Sequence, residues 1–326
     1  MSHPIDSELA VSTVWAKARA GEAAPYGPEA EAQAVLAALD QVGLSRLELE
    51  YRLSGPVVER LLPEFKARGW RVGSLHNFAP LPPGVPRERA SGDLFNLAAL
   101  DGGERRRAVE HTMRTMELAN ELEAPAVVLH LGRVEAALDK TVTAQAAEAG
   151  ETTPALAENL ALRARTAPRH LDAVSFSLER LAVRAQALGV TLGLENRFHA
   201  FQIPGLDELG LLLERFSGAP LGLWYDCGHA RVQELAGLSR AAAWLEAFGP
   251  TLVGCHLHDA RGASDHIPPG RGELDWPALT RALASAPLKV LEVAYADSAG
   301  EFREGVALLA ELFAQAAREQ NEKERT

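Results

Sequence analysis

The chain has 326 residues, enough for one large α/β barrel or for two ordinary domains. Its 47% hydrophobic and 24% charged residues are typical of a soluble globular protein. The formal net charge of −11 makes nucleic-acid binding an unfavoured function, because phosphate backbones attract basic surfaces. No apolar run is long enough to cross a bilayer, and the first ten residues lack the pattern of a signal peptide. We therefore expect a cytoplasmic protein that does not bind a membrane.

Short runs rich in Val and Leu alternate with amphipathic stretches along the chain, which predicts a parallel sheet of strands joined by helices. Eight such units predict a closed (β/α)₈ TIM barrel that occupies residues 1–326 as a single domain, with a large open doubly wound sheet as the alternative. The predicted strands are LAVSTVW (9–15), RLELEYR (46–52), RVGSLHNF (71–78), PAVVLHLGR (125–133), VTLGLENR (190–197), LGLWYDCGH (221–229), LVGCHLHD (252–259) and KVLEVAYA (289–296).

The interval between the fourth and fifth predicted strands is about one strand-helix unit too long. The excess falls in residues 135–168, a stretch rich in Ala, Glu and Thr. We interpret it as an insertion after strand 4, either a helical excursion or a flexible flap. Its polar composition favours a solvated, poorly ordered loop.

Four late strands each end in a residue that can bind a metal ion. LGLE ends at Glu195, LGLWYD at Asp226, LVGCH at His256 and KVLE at Glu292. A TIM barrel places the C-terminal ends of its strands around one rim, so these side chains should converge. Three carboxylates packed together would repel one another without a cation. The sequence therefore predicts a divalent metal site, and its oxygen-rich set with one imidazole suits Mn, Zn, Co or Mg.

Further histidines follow the same strand ends. His76 and His130 end the third and fourth strands and could bind either a metal ion or substrate. His229 is a candidate for substrate or a further metal, and His266 lies in the loop after the seventh strand. His258 should point to the same side as His256, since alternate strand residues share a face.

Several other polar residues cluster at these strand ends and loops. Asn77, Arg197 and Arg271 are candidates for binding substrate hydroxyls or a phosphate, which arginine forks match well. Glu48 is a weaker candidate for the rim. The two cysteines, Cys227 and Cys255, neighbour the proposed ligands and should point away from them as packing residues.

These motifs resemble the xylose isomerase-like barrels, which include sugar and sugar-phosphate isomerases and epimerases together with endonuclease IV. The resemblance spans nearly the whole chain. Its most specific part combines D-x-x-H on strand six with H-x-x-D and P-G-x-G after strand seven. The segments that carry it are LGLEN (192–196), YDCGHA (225–230), HLHD (256–259), DHIPPGRGELDW (265–276) and VLEV (290–293).

In the epimerase branch of this family, the resemblance implies that Glu195, Asp226, His256 and Glu292 hold one ion, which the oxygens of the substrate chelate. Glu195 and Glu292 would act as acid and base, moving a proton through an enediolate. His229 would contact a substrate oxygen.

In the endonuclease IV branch, the resemblance implies a second ion at His76, His130 and Glu195, and a third at His229 and His266. The family pattern places an Asp two residues before the last of these histidines. Here Ser264 stands at that position and Asp265 is adjacent to His266, which departs from the pattern.

The leading hypothesis is a divalent-metal-dependent isomerase or epimerase acting on a sugar, polyol or sugar phosphate. One alternative is a di- or trinuclear metal phosphoesterase acting on a small phosphodiester. The other is a barrel that binds metal without turnover. The expected partner is a small-molecule substrate, and the sequence is compatible with a homo-oligomer.

Overall fold

The Val- and Leu-rich runs form eight parallel strands that close into a barrel, with β1 hydrogen-bonded to β10. The computed structural model describes residues 8–16 and 27–324. This closure confirms the predicted barrel and excludes the open doubly wound sheet. The barrel strands are β1 (Leu9–Ser12), β2 (Arg46–Leu49), β3 (Arg71–His76), β4 (Ala126–Leu129), β5 (Thr191–Glu195), β6 (Leu221–Asp226), β7 (Leu252–Leu257) and β10 (Lys289–Leu291); the short strands β8 (Asp259–Arg261) and β9 (Ser264–Ile267) form an antiparallel pair after β7.

The amphipathic stretches form helices that surround the barrel and bury their apolar faces against it. The helix after β2 ends at Gly69, whose φ of 69° is the left-handed conformation expected of a terminating glycine. Within the described part of the chain, no helix is long and apolar enough to cross a membrane. The helices are α1 (Pro28–Asp40), α2 (Gly55–Arg68), α3 (Gly102–Glu121), α4 (Val142–Ala149), α5 (Pro154–Leu188), α6 (Leu206–Arg215), α7 (Cys227–Leu235), α8 (Ala241–Phe248), α9 (Trp276–Ala282) and α10 (Ala299–Glu324).

The insertion at 135–168 is mainly helical, which confirms one of the two predicted forms and not the poorly ordered loop. It contains α4 and the first part of α5. Thr153 caps α5 by accepting a hydrogen bond from the Leu156 amide, at 3.3 Å. Buried residues of the insertion, including Val142 and Leu156, pack against Val232 of α7. This small apolar cluster orders a segment whose average composition is polar.

A tryptophan fills the interior of the barrel below its rim. Trp224 on β6 is fully buried, and its ring lies 5.1 Å from the ring of His256. Two neighbouring strands have glycines where they face it. A Cβ added at Gly193 would lie 2.8 Å from the Trp224 ring, and one at Gly254 would lie 2.5 Å from it. The glycines in LGLE and LVGCH therefore make room for the side chain that supports the rim.

We expect Gly254→Ala to lower the free energy of unfolding by about 1–3 kcal/mol, the usual cost of overpacking a core. The added methyl group must displace the Trp224 ring or the side chain of Leu288. Urea denaturation measures the change. Gly249→Ala is the matched control, since a Cβ there meets nothing within 4 Å. Equal stability of the two variants would contradict this role for Gly254.

Candidate metal centre

The four residues predicted as metal ligands meet at the C-terminal rim of the barrel. Glu195 and Asp226 end β5 and β6, His256 lies one residue before the end of β7, and Glu292 directly follows β10. The strand register aligns Asp226 with His256, whereas Glu195 pairs with Trp224 and His256 with Val290, each two residues before the tetrad residue of that strand. One ligand atom from each of the four lies within 4.8 Å of those of the other three. We call these four residues the tetrad.

Nδ1 of His256 lies among the three carboxylates of the tetrad. It is 2.9 Å from Oε1 of Glu195, 3.0 Å from Oε2 of Glu292 and 3.6 Å from Oδ2 of Asp226. Three of the residues are fully buried and Glu292 is 5% exposed. The four side chains therefore direct their ligand atoms at one small, dehydrated volume.

Electrostatics keeps the tetrad carboxylates ionised. Burial alone would raise the pKa of Glu195, but the charge and hydrogen bonds of His130 and the other nearby histidines hold it well below its usual range. Burial likewise opposes ionisation of Asp226, yet His229 and His258 hold the pKa of that carboxyl well below normal. Ionised oxygens around one imidazole nitrogen form a donor set that fits Mn, Zn, Co or Mg. In this arrangement protonated imidazoles supply the positive charge that a divalent ion would supply.

Glu48 lies behind His256 rather than among the ligands. Nε2 of His256 is 3.2 and 3.3 Å from the two Glu48 oxygens, and Ser74 donates its hydroxyl to Oε2 of Glu48 at 2.8 Å. Glu48 is fully buried. A carboxylate on the far nitrogen orients a metal-binding imidazole and increases its basicity. Sequence reasoning treated Glu48 as a weak rim candidate and missed this contact with His256.

Replacing Glu48 by Ala should weaken Mn²⁺ binding about 10–100-fold, because His256 loses the group that orients its ring. Isothermal titration calorimetry measures the affinity, and circular dichroism checks the fold. Glu48→Gln is the milder control, since its amide oxygen can still accept from Nε2 of His256. An affinity of Glu48→Ala within twofold of the wild type would contradict the orienting role.

His76 and His130 lie beside the tetrad and share Glu195 with it. Nε2 of His130 is 2.7 Å from Oε2 of Glu195, and Nε2 of His76 is 3.6 Å from the same oxygen. The guanidinium of Arg197 also bonds this oxygen, at 3.0 Å. Nη2 of the same guanidinium donates to Oδ2 of Asp93 at 2.9 Å. Sequence reasoning missed Asp93, which lies in the irregular loop 79–100.

A third group contains His229, Asp265 and His266. Nε2 of His229 is 3.7 Å from Oδ2 of Asp265. Asp265 therefore brings a carboxylate to this group from the position one residue after Ser264. His229 also donates its backbone amide to Asp226 at 2.7 Å, because Asp226 caps α7.

The structure does not bring three of the predicted substrate-binding residues to the mouth of the site. His258 is fully buried, with Nε2 2.9 Å from Oδ2 of Asp226, and it forms a possible ligand group with His266 and Glu292. The side-chain amide of Asn77 forms hydrogen bonds with Thr112 and Thr115 of α3, at 2.9 and 3.1 Å. Arg271 is half exposed and forms ion pairs with Glu301 and Glu304 of α10.

Asp259 organises the loop that carries Asp265 and His266. Its carboxylate accepts from the amides of Ala260, Gly270 and Leu274 and from the indole of Trp276, at 2.8–3.1 Å. A Cβ at Gly272 would collide with Asp259, which explains the second glycine of the sequence GRG at 270–272.

The two cysteines are free and buried, and burial raises the pKa of both thiols, as expected for packing residues.

Comparison with known proteins agrees with this fold. A family model described as xylose isomerase-like TIM barrel matches residues 36–312. The chain therefore belongs to the xylose isomerase-like TIM barrel family.

Individual relatives are distant in sequence. The uncharacterized protein y4fM of Sinorhizobium fredii is 41% identical over 75 residues, and this match spans 23% of each protein. The solved structure of an L-ribulose 3-epimerase has a TM-score of 0.66 at 17% identity, covering 96% of each chain. The TTHB071 protein from Thermus thermophilus, soaked with ZnCl₂, has a TM-score of 0.55 at 24% identity, covering 94% of this chain and 97% of that one. The two structural likenesses show the shared fold.

Proposed function

We propose that this chain is a divalent-metal-dependent isomerase or epimerase of a sugar, polyol or sugar phosphate. The observation that carries the proposal is the tetrad, in which the carboxylates of Glu195 and Glu292 lie 2.9 and 3.0 Å from Nδ1 of His256. A proton-transfer enzyme of this kind needs a cation to polarise a carbonyl and two groups that exchange protons with carbon. The fold shared with an L-ribulose 3-epimerase supports the proposal by analogy.

The tetrad would hold the ion, which supplies Lewis-acid polarisation of a substrate carbonyl and so acidifies the neighbouring C–H. Glu292 suits the first proton removal. Its pKa is lowered because His256 and the other imidazoles outweigh the effect of burial, so its carboxylate is ionised, the form that a general base needs. Glu292 also retains slight exposure, whereas Glu195 is fully buried and bonded through both oxygens. In a two-base epimerisation Glu195 exchanges the proton on the other side of the substrate's enediolate.

His229 is the residue best placed to contact a substrate oxygen. Its Nδ1 is 3.0 Å from the backbone carbonyl of Asn196, which fixes the ring. Nε2 then lies 3.7 Å from Oδ2 of Asp265, beyond hydrogen-bond distance. A fixed ring with one free nitrogen can bond a hydroxyl group without a large loss of entropy.

Solvent deuterium exchange tests the proposal. The protein loaded with Mn²⁺ is incubated in D₂O with a panel of ketoses, aldoses, inososes and their phosphates, and NMR follows the carbon-bound hydrogen next to the carbonyl. We expect deuterium at that position in at least one substrate, and none with metal-free protein. No incorporation across the panel, with metal loading verified, would contradict the proposal.

A phosphoesterase is the second candidate, because the groups around His130 and His229 could hold further ions next to the tetrad. Two or three ions would activate water and stabilise a phosphoryl group. Hydrolysis of bis(p-nitrophenyl) phosphate would support this candidate. A metal-loaded protein that neither hydrolyses the diester nor exchanges deuterium would match the third candidate, a barrel that binds metal without turnover.

A further inference from the structure

A closed ring of polar side chains includes one oxygen of Glu195. Oε2 of Glu195 is 2.7 Å from Nε2 of His130, and Nδ1 of His130 is 3.2 Å from Oδ2 of Asp93. The same oxygen of Asp93 accepts from Nη2 of Arg197 at 2.9 Å, and Nη1 of Arg197 returns to Oε2 of Glu195 at 3.0 Å. Gln202 also donates to Oδ2 of Asp93 at 3.0 Å. We call Glu195, His130, Asp93 and Arg197 the ring.

The ring divides the two oxygens of Glu195 between different partners. Oε1 faces His256 and belongs to the tetrad, whereas Oε2 is bonded to two ring members. This arrangement holds the Glu195 carboxylate in one orientation. Turning the group would break the contact of Oε1 with His256 or the contacts of Oε2 with His130 and Arg197. The ring thereby presents Oε1 to the tetrad in one orientation.

A second ion bound by His76, His130 and Glu195 would have to share Oε2 with a fixed cation. Metal–ligand distances at such sites are about 2.0–2.2 Å, so the ion would lie within about 5 Å of Nη1 of Arg197. The guanidinium cannot lose its charge to relieve the repulsion. Asp93, which is paired with that guanidinium at 2.9 Å, holds it in place beside Glu195.

The backbone closes this side of the site. A Cβ added at Gly92 would lie 2.7 Å from atoms of both His76 and His130, so the chain rests directly on the two rings. The histidines are 2% and 9% exposed, and the neighbouring Arg197 is 3% exposed. Solvent ligands that a second ion needs would have little access here.

We propose that Arg197, clamped by Asp93, takes the place of a second cation beside Glu195, so that no second ion binds at His76, His130 and Glu195, and Glu195 turns Oε1 toward the ion of the tetrad. The proposal rests on the tetrad being a metal site, as proposed above, and not on the isomerase reaction. It makes Arg197 and Asp93 positioning residues of the centre.

Metal stoichiometry tests the proposal on the full chain. Wild-type protein is saturated with Mn²⁺ or Zn²⁺, freed of excess ion by gel filtration and analysed by inductively coupled plasma mass spectrometry. We expect one ion per chain in the wild type and in His76→Ala. Arg197→Met removes the competing charge and should raise the value to two, and adding His76→Ala to it should return the value to one.

Two variants act as matched controls. Arg197→Lys retains a positive charge and should stay at one ion. Arg133→Met removes another arginine of the same region, whose guanidinium donates to the backbone carbonyl of Asp93 at 3.3 Å, and should also stay at one. Circular dichroism and a thermal melt verify that each variant is folded.

Two ions in the wild type, one of them lost in His76→Ala, would overturn the proposal. A folded Arg197→Met protein that stays at one ion would remove Arg197 as the excluding group. Wild-type protein that binds no ion would overturn the metal centre itself and this proposal with it. One ion per chain without deuterium exchange would leave the proposal standing and would count against the isomerase function alone.

Discussion

Glu292→Gln should lose about 10²–10⁴-fold in the rate of deuterium exchange, the range that general acid–base groups contribute. The amide has the size of the carboxyl group but cannot accept the proton from carbon. The His256 contact at 3.0 Å can persist through the amide oxygen, so the site keeps its shape. The rate is measured by NMR in D₂O at saturating Mn²⁺, with the substrate identified in the exchange screen.

Metal loss must be separated from loss of the base in this experiment. The Mn²⁺ content of the variant is measured on the same sample, and the rate is given per loaded site. Glu273→Gln is the matched control, because this glutamate lies in the loop after β9 and does not belong to the tetrad. A Glu292→Gln protein that is fully loaded and exchanges at the wild-type rate would exclude Glu292 as the proton acceptor.

Metal affinity should rise steeply with pH, by about tenfold per pH unit for each proton that the ion displaces. Burial lowers the pKa of His256, but Glu292 and Glu48 outweigh it and raise the pKa well above the usual 6.5. The metal-free centre therefore holds a protonated His256 at neutral pH. An ion can bind Nδ1 only after that proton leaves, so protons and metal compete below the raised pKa.

The sign for stability follows from the same shift. A raised His256 pKa stabilises the metal-free fold fully below about pH 6.5, and this contribution is lost as pH rises through the folded-state pKa. The increase in melting temperature on adding Mn²⁺ should therefore grow from about pH 6 to about pH 8. Isothermal titration in buffers of different ionisation enthalpy should show release of about one proton per ion.

Glu48→Gln provides an internal control for this competition. Without the Glu48 charge, the pKa of His256 should fall, and fewer protons should be released at neutral pH. Affinity that does not change with pH, together with no proton release, would contradict a metal-free centre in which His256 is protonated.

The tetrad could be predicted from sequence because its signal is local. An apolar run that ends in Glu195, Asp226, His256 or Glu292 marks both a strand and its carboxyl end, and barrel closure brings those ends together. The prediction needed no knowledge of helix packing or loop shape. The structure brings the same four side chains to one point.

Residues positioned by loops carry no such signal. Asp93 lies in an irregular segment, and its place depends on contacts with Arg197 and Gln202, which are more than 100 residues away in sequence. Glu48 was predicted only as a weaker rim candidate, because its contact with Nε2 of His256 joins residues that are 208 positions apart in the sequence. Asp259, which shapes the loop around His266, appears in the sequence only as the last residue of the family motif HLHD.

The order of the insertion also depends on tertiary contacts. Residues 135–168 have the composition of a solvated loop, yet Val142 and Leu156 find apolar partners on α7. Composition averages over a segment, whereas helix packing depends on the few residues that share a face.

Anomalous diffraction from crystals grown with Mn²⁺ tests the central claim most directly, because it locates the ion without reference to activity. We expect one anomalous peak, bounded by carboxylate oxygens of Glu195, Asp226 and Glu292 and by Nδ1 of His256. A crystal with verified Mn²⁺ in solution but no peak at the tetrad, or with its peak elsewhere in the barrel, would contradict the account.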